Sequence, residues 1–591
     1  MNSNNASEPS QSSFTGRLSI KEKINRALVT FSRNEQRVFA VLVVALVVSS
    51  LALLQLLNQS LMTQVPLSGG MISEGIVGAP RFINPVLASS PADLDLVALI
   101  YSGLMRRGTD GNFVPDLAEK YEVSENGLVY TFTLKDKAYF HNGESVTVDD
   151  VIFTIDRVKN SVIKSPEKIN WDGVNVEKIG EQTLEFTLRQ PDANFLQNAT
   201  LGIMPQSLWA SDSLELNAAN TAPVGSGPYR IENATRESNG VITSYQLAAF
   251  EKFALDKPHL KEIRFYFYPN ETDLVKALED GTVDQVSSIT PEIAETLKEK
   301  GYRVESEVMP RVFGLFFNQN KNQIFLDQAV ARAINEAIDK EKIVREVLFG
   351  YGVPTSRPIP ESLAGQEEIS ASQRATREET VQKVREDLKK NGWAENTDGF
   401  FRKTTTDKTK KKTTVELTFT IATGNAPELA QTAELIKTDL AQVGIKVEVQ
   451  TFEIGNLNQN VIRPREYDAL LFGQVINRKS DLFAFWHSSQ RKDPGQNVAL
   501  YTNARADKLL EESFITVNDQ AREEKYAALE REILKDMPAV FLYNPDLIYV
   551  VAKTLRGLSL EHITSPADRF RNINSWFTKT ENVWKIFNKK S

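Results

Sequence analysis

The spacing of apolar residues changes several times along this chain, and each change predicts an element. Between residues 128 and 134, Leu128, Tyr130, Phe132 and Leu134 alternate with Val129, Thr131 and Thr133, the two-residue period of a strand. Asn126-Gly127 before it supplies a turn that tolerates positive φ, so a hairpin is expected there. His141-Asn142-Gly143 makes a second tight turn. Thr147 and Asp149-Asp150 then precede Val151, Ile155 and Val158 at helical spacing, a cap and acidic first turn suited to a helix start. Further on, residues 311 to 318 form an apolar strand and residues 326 to 338 a helix. The strand 415–422, the helix 428–443 and the strand 445–451 make a βαβ unit of the doubly wound kind.

One segment has no period because it is apolar throughout. Val38 to Leu57 is twenty residues without a charge, long enough to cross a bilayer core of about 30 Å as a helix. Arg17, Lys21, Lys23, Arg26, Arg33 and Arg37 precede it, against Glu8, Glu22 and Glu35, and no Lys or Arg follows until Arg81. The positive-inside rule puts residues 1–37 in the cytoplasm and everything after about Asn58 outside. A cleaved signal peptide is the competing reading, but its apolar run is usually about 7–15 residues and no A-x-A site follows here. Residues 58–69 are polar and expected to be a tether.

Composition narrows the classes. At 591 residues, with 41% apolar and 25% charged positions, the chain is expected to hold two or three soluble lobes. The tail before Val38 has six positive and three negative residues, so of the net charge of −8 the remainder carries −11. That acidity argues against a nucleic-acid partner. There is no cysteine, which rules out disulfides, thiolate metal sites and a lipidated cysteine anchor. Four histidines, His141, His259, His487 and His562, are scattered, so a metal cage made by the protein alone is not expected. Lys408, Lys410, Lys411 and Lys412 form a basic run without aromatics, as expected of a solvated hairpin tip. Gly225-Ser226-Gly227 lacks the GK[ST] ending of a phosphate loop and runs into a strand. No HExxH, G-x-S-x-G or Walker motif occurs, so an enzyme is not expected and no cofactor is implied.

Spaced motifs carry a resemblance. They are Gly103-Leu104, Asp110-Gly111, Pro115 to Glu119, Tyr121 to Leu134, Phe140 to Gly143 and Val148 to Thr154. Ala222 to Tyr229, Ala337 to Val344, Gly350 to Pro354 and Pro358 to Pro360 follow in order. In these the chain resembles the peptide/nickel class (family 5) of ABC-importer solute-binding proteins, which includes oligopeptide- and dipeptide-binding proteins. The resemblance implies an α/β, two-lobed periplasmic-binding-protein type II (Venus-flytrap) fold with an extra subdomain, here behind one N-terminal transmembrane helix. On that frame lobe I comprises 70–104, 222–315 and 545–591, its extra subdomain 105–221, and lobe II 316–544. The chain would cross between lobes near 311–318 and again near 533–543. The implied partners are a peptide ligand and the permease and ATPase subunits of the importer, with a monomeric binding protein held at the membrane by its helix, outside the cytoplasm.

The resemblance also nominates ligand-binding residues. After the Ile83-Asn84-Pro85 corner the family's chain runs along the cleft, here Leu87 to Pro91 with Ser89, Ser90 and Pro91; a surface loop is the alternative. The strand 467–473, ending at Gly473 and continuing through Gln474, Val475 and Ile476 to Asn477, corresponds to the one that pairs with peptide backbone. Peptide receptors place an aspartate for the ligand's α-ammonium where this chain has Asn477; Asp481 is the next carboxylate. Lys479 stands where relatives carry the first acid of D-P-D-P, and could pair with a ligand carboxylate or with Asp481. Trp486 is either a wall of the cleft or a core aromatic. A membrane-anchored sensor or chaperone reusing the fold, or a receptor for a non-peptide solute such as a metal chelate, are the other readings.

Overall fold

A computed structural model describes residues 19–587 except 193, 211–212, 361–362, 364–375, 407–411 and 517. Residues 1–18 of the basic tail and Lys408, Lys410 and Lys411 therefore lie outside the described residues. Residues 67–579 form one compact unit; the residues before and after form another. In the smaller unit, the helices Ile20–Thr30 and Arg33–Leu61 are followed by the strand Met62–Pro66, which pairs antiparallel with Thr580–Trp584. The longer helix is long and apolar enough to cross a membrane, and none of its residues is buried. The stretch expected to be a tether is thus the helix's last turn and a strand. Thr580–Trp584, expected in lobe I, is its partner.

The larger unit is built on one mixed sheet of twelve strands. In its first half, Met71–Val77 lies between Glu262–Tyr268 and Gln285–Ser287, parallel to both, and Ile242–Ala249 and Tyr229–Arg236 extend it antiparallel. In its second half, Lys446–Phe452, Thr418–Gly424 and Ala469–Val475 run parallel, and Arg311–Phe317 pairs antiparallel with the last of these. Ala539–Val551 belongs to both halves. Its first residues pair with Arg311–Phe317 and its last with Arg303–Val308 and Gln285–Ser287. The protein is a two-lobed mixed α/β molecule, and its lobes share this strand.

The predicted hairpin forms as Ala118–Val123 and Val129–Leu134, with Gly127 at φ 68° in the turn. It belongs to a four-stranded sheet with Thr183–Leu188 and Val174–Lys178. Tyr130, Phe132 and Leu134 are buried, as their alternation requires, and Phe132 meets Phe186 edge-on at 5.7 Å. The helix Val148–Lys159 starts in a capping box. Asp150 N–H donates to Thr147 Oγ1 (3.3 Å) and Thr147 N–H to Asp150 Oδ2 (2.9 Å). The segment expected as one strand over 415–422 is two. Lys412–Glu416 pairs with Phe401–Thr406 in a separate sheet, and Thr418–Gly424 enters the main one. Leu417, buried between them, lets one run of alternating residues serve two layers.

The Gly225-Ser226-Gly227 element packs against the end of the helix Pro91–Ile100. A Cβ on Gly225 would lie 2.0 Å from Ile100 O, so only glycine lets the chain pass. His141 pins the same corner: Nε2–H donates to Gly227 O (3.0 Å) and Nδ1 accepts from Gly225 N–H (3.3 Å). Burial drives its pKa down to about 4, against the pull of the Gly227 carbonyl. Protonation would place two hydrogens between Nδ1 and Gly225 N. The unfolded chain, with an ordinary value of about 6.5, takes up the proton first, so acid favours unfolding across that interval.

Lobe I is locked by a buried ionic cluster. Arg569, fully buried, donates to Asp95 through both terminal nitrogens (2.7 and 2.6 Å) and to Glu74 Oε1 (3.0 and 3.3 Å). Tyr549 O–H (2.7 Å) and Gln285 Nε2–H (3.2 Å) donate to Glu74 Oε2. Burial raises the Glu74 carboxyl above the usual carboxylate range even against Arg569. The cluster ties the strands 71–77, 285–287 and 539–551 to the helix 91–100 and the C-terminal segment.

Two outcomes are expected in denaturation experiments. Arg569→Met leaves two carboxylates buried without their cation and should cost about 3–5 kcal/mol. Between pH about 6.5 and about 4 wild-type stability should fall, and His141→Gln should flatten that part of the profile.

Candidate functional site

In open α/β sheets the crevice beyond the carboxyl ends of parallel strands is where loops diverge and ligands bind. In the second half of the sheet those ends are Gly424, Phe452 and Val475. Arg311, opening the antiparallel Arg311–Phe317, lies at the same end because it pairs with Val475. The crossover between lobes is immediately before it, where Met309 N–H donates to Pro545 O (2.9 Å).

Ala469–Val475 uses its two edges unequally. One edge pairs with Arg311–Phe317 along its whole length. The other meets Thr418–Gly424 only at Ala469 and Leu470, and Thr423 Oγ1–H then donates to Leu471 O (2.9 Å). Among the described residues, Phe472 to Val475 have no strand partner on that side. Such an edge offers backbone donors and acceptors to an extended chain.

Gly473 is required by its neighbour. The Phe313 ring lies over it, so a Cβ would come within 2.7 Å of that ring. Phe313 in turn stacks on Tyr543, centroids 4.9 Å apart. Gln474 is 2% exposed and neither of its amide atoms has a hydrogen-bond partner among the described residues. Val475 is exposed. Asn477 donates its N–H to Asp481 Oδ2 (3.0 Å), and its Oδ1 is buried without a partner among the described residues.

Asp481 is already committed to its own loop. Besides Asn477 N–H it accepts from Arg478 N–H (3.2 Å) and Arg478 Nε–H (3.0 Å). Arg478 then reaches the extra subdomain, donating through Nη1 to Asn198 Oδ1 (2.8 Å) and through Nη2 to Asn170 Oδ1. Both bonds join residues 105–221 to 311–544. The sequence reading did not single out Arg478; its one signal is a cation directly after the nominated Asn477. Lys479, expected to meet a ligand carboxylate or Asp481, instead pairs with Glu523 and lies over the Tyr526 ring (5.8 Å).

The remaining nominated residues lie elsewhere. Trp486 is fully buried among Phe316, Tyr501 and Phe541, with centroids 5.9–6.3 Å away, so its place is the lobe core. Ser90 caps the helix Pro91–Ile100, with Pro91 in its first turn, and exchanges bonds with Asp93 (2.7 and 3.2 Å). Ser89 is exposed beside it. No hydrogen bond among the described residues joins 89–91 to 473–481.

Residues 112–497 match the family model described as bacterial extracellular solute-binding proteins, family 5. The oligopeptide-binding protein AppA of Bacillus subtilis (strain 168) is 26% identical over 522 residues, 87% of this chain and 92% of AppA. The structure of AppA in complex with a nonapeptide aligns at TM-score 0.66 and 24% identity, over 87% of this chain and 99% of that one. The ABC transporter substrate-binding protein CtaP of Listeria monocytogenes gives TM-score 0.73 at 22% identity, over 87% of this chain and 100% of its own. NikZ of Campylobacter jejuni in complex with Ni(L-His) gives 0.67 at 24%, over 86% and 99%.

The site geometry makes one variant decisive. Gly473→Ala should displace Phe313 from the strand and lower stability by about 1–3 kcal/mol in denaturant titration. Trp486→Ala, a core truncation, should cost about 3–5 kcal/mol.

Proposed function

The chain belongs to the bacterial extracellular solute-binding proteins of family 5, and from that premise we propose that it captures peptides between its lobes and hands them to the permease and ATPase of an ABC importer. The observation that carries the reading is the unpaired edge of Phe472 to Val475 at the carboxyl end of the parallel strands. An extended peptide added there gains main-chain hydrogen bonds that do not depend on its side chains. Gln474 and Asn477 supply buried amide groups beside that edge.

Closure follows from the Arg478 bridge. Its guanidinium is held by Asp481 on lobe II and reaches Asn170 and Asn198 on the extra subdomain. A ligand drives closure only by the difference between its contacts in the closed and open states. A ligand that touches both the 472–475 edge and the extra subdomain would favour the bridged state. The free-amine site of peptide receptors has no carboxylate at Asn477, and Asp481 is occupied by Arg478.

The helix Arg33–Leu61 holds the receptor at the membrane as an uncleaved anchor with its basic side in the cytoplasm. It does the work that a lipid anchor would do, keeping a monomeric receptor beside its permease.

The test is to purify the full chain in detergent, denature it to release what it carries, and identify the released molecules by mass spectrometry. A set of short peptides is the expected result. A metal chelate would reassign the ligand within the family, and a protein carrying nothing and stabilised thermally by no peptide would favour the sensor or chaperone reading. The intact mass should include the segment before Val38; a mass beginning after Leu57 would replace the anchor by a cleaved signal. Arg478→Ala should weaken peptide binding about tenfold by removing the bonds to Asn170 and Asn198, and should lower stability by about 1–3 kcal/mol because Asp481 loses its cation.

A further inference from the structure

The apolar helix leads into a paired ribbon rather than a free chain. Asn58 directly follows the uncharged run Val38 to Leu57 and lies in the last turn of the helix Arg33–Leu61; the strand Met62–Pro66 continues without a break. Thr580–Trp584 is antiparallel to that strand, so it approaches the helix while its partner leaves it. Met62 pairs with Trp584, Thr63 with Val583, Gln64 with Asn582 and Val65 with Glu581. The two apolar residues of the returning strand, Trp584 and Val583, are therefore the ones nearest the helix, and the polar and acidic ones lie beyond them.

A side-chain bond sets the level of Trp584. Its indole Nε1–H donates to Asn58 Oδ1 (2.9 Å), four residues before Met62. One helical turn rises about 5.4 Å, so the indole reaches back alongside the end of the apolar helix. With that donor satisfied by the protein, the rest of the ring is an apolar surface. Even so, Trp584 is 43% exposed, and Ile586, in the single turn Lys585–Phe587 that follows, is 77% exposed. Leu57 and Leu61 are exposed in the same last turn of the long helix.

A lone exposed aromatic is ordinary on a protein surface. This one is fastened at the exit of an apolar helix, the level at which bilayers hold tryptophan. Lys585, exposed between the two apolar residues, has a stem long enough to lie along lipid with its charge in water. The ribbon itself has only two strands, which by themselves are marginal in water. Apolar burial at its end would stabilise it.

Resting on the anchor reading above, we propose that residues 584–586 sit in the extracytoplasmic membrane–water interface, with Trp584 and Ile586 against lipid. The partner is the bilayer surface. The receptor then stands on a two-stranded stalk about 17 Å long, five residues at about 3.4 Å each, fastened to the membrane through both strands rather than swinging on one flexible chain.

The chain has no cysteine, so single positions can be labelled with an environment-sensitive fluorophore in the full-length protein. Leu57→Cys, Glu581→Cys and Ile586→Cys are reconstituted into vesicles of phosphatidylethanolamine and phosphatidylglycerol, with and without nitroxide-bearing lipid, and thermal denaturation verifies folding. Quenching at residue 586 should exceed that at residue 581 by about threefold or more and approach that at residue 57. Adding Trp584→Ala to the Ile586→Cys chain should remove most of it. A label at 586 quenched no more than one at 581, while the label at 57 is quenched, overturns the proposal and leaves the anchor standing. Quenching at 586 that survives Trp584→Ala in full overturns the part assigned to the tryptophan. Absence of quenching at 57 overturns the anchor and the proposal together.

Discussion

The strand Ala539–Val551 is the constraint on which the rest depends. Its first residues complete the second lobe's sheet beside Arg311–Phe317, and its last complete the first lobe's sheet beside Arg303–Val308 and Gln285–Ser287. Two lobes that share a ladder cannot drift apart, yet a single strand, with the short crossover through Met309 beside it, leaves them free to tilt. The shared strand also decides where polar groups fall. It carries Tyr543 and Asn544 at the crossing and Tyr549 inside the first lobe, where the hydroxyl meets the Glu74 and Arg569 cluster. Rigidity of the first lobe and geometry of the cleft thus come from one element.

Polar burial takes two opposite forms along that element. In the first lobe Arg569, Glu74, Asp95 and Tyr549 satisfy one another, Gln285 adds one amide donor, and the cluster fixes how five chain segments meet. At the crossing, Arg311 Nε, Asn544 Oδ1, Asn477 Oδ1 and both amide atoms of Gln474 are buried with no partner among the described residues. Each such group costs about 1–3 kcal/mol when left unmade.

Much of this could be read along the chain, because local signals report local physics. The alternation at Tyr130, Phe132 and Leu134, the turn at Asn126-Gly127 and the cap at Thr147 each depend on a few neighbouring residues, and each appears where the pattern places it. The division at Leu417 was not legible, since alternation persists across it while the two halves enter different sheets. Asn477 and Gly473 were nominated through the resemblance. Arg478 and Arg311 were not singled out, one being an ordinary charge in a loop and the other the first residue of an apolar strand.

The sequence by itself determined the fold class, the apolar N-terminal helix and the absence of thiol chemistry. Those follow from periodicity, composition and short motifs, whose causes act within a few residues. Only the tertiary structure decided which charges are already used. Asp481 turned to Arg478, Lys479 to Glu523 and Trp486 to the core, while Arg311 Nε has no hydrogen-bond partner among the described residues. Pairing of charges depends on side chains brought within about 4 Å from positions far apart in the chain, and no local pattern encodes that.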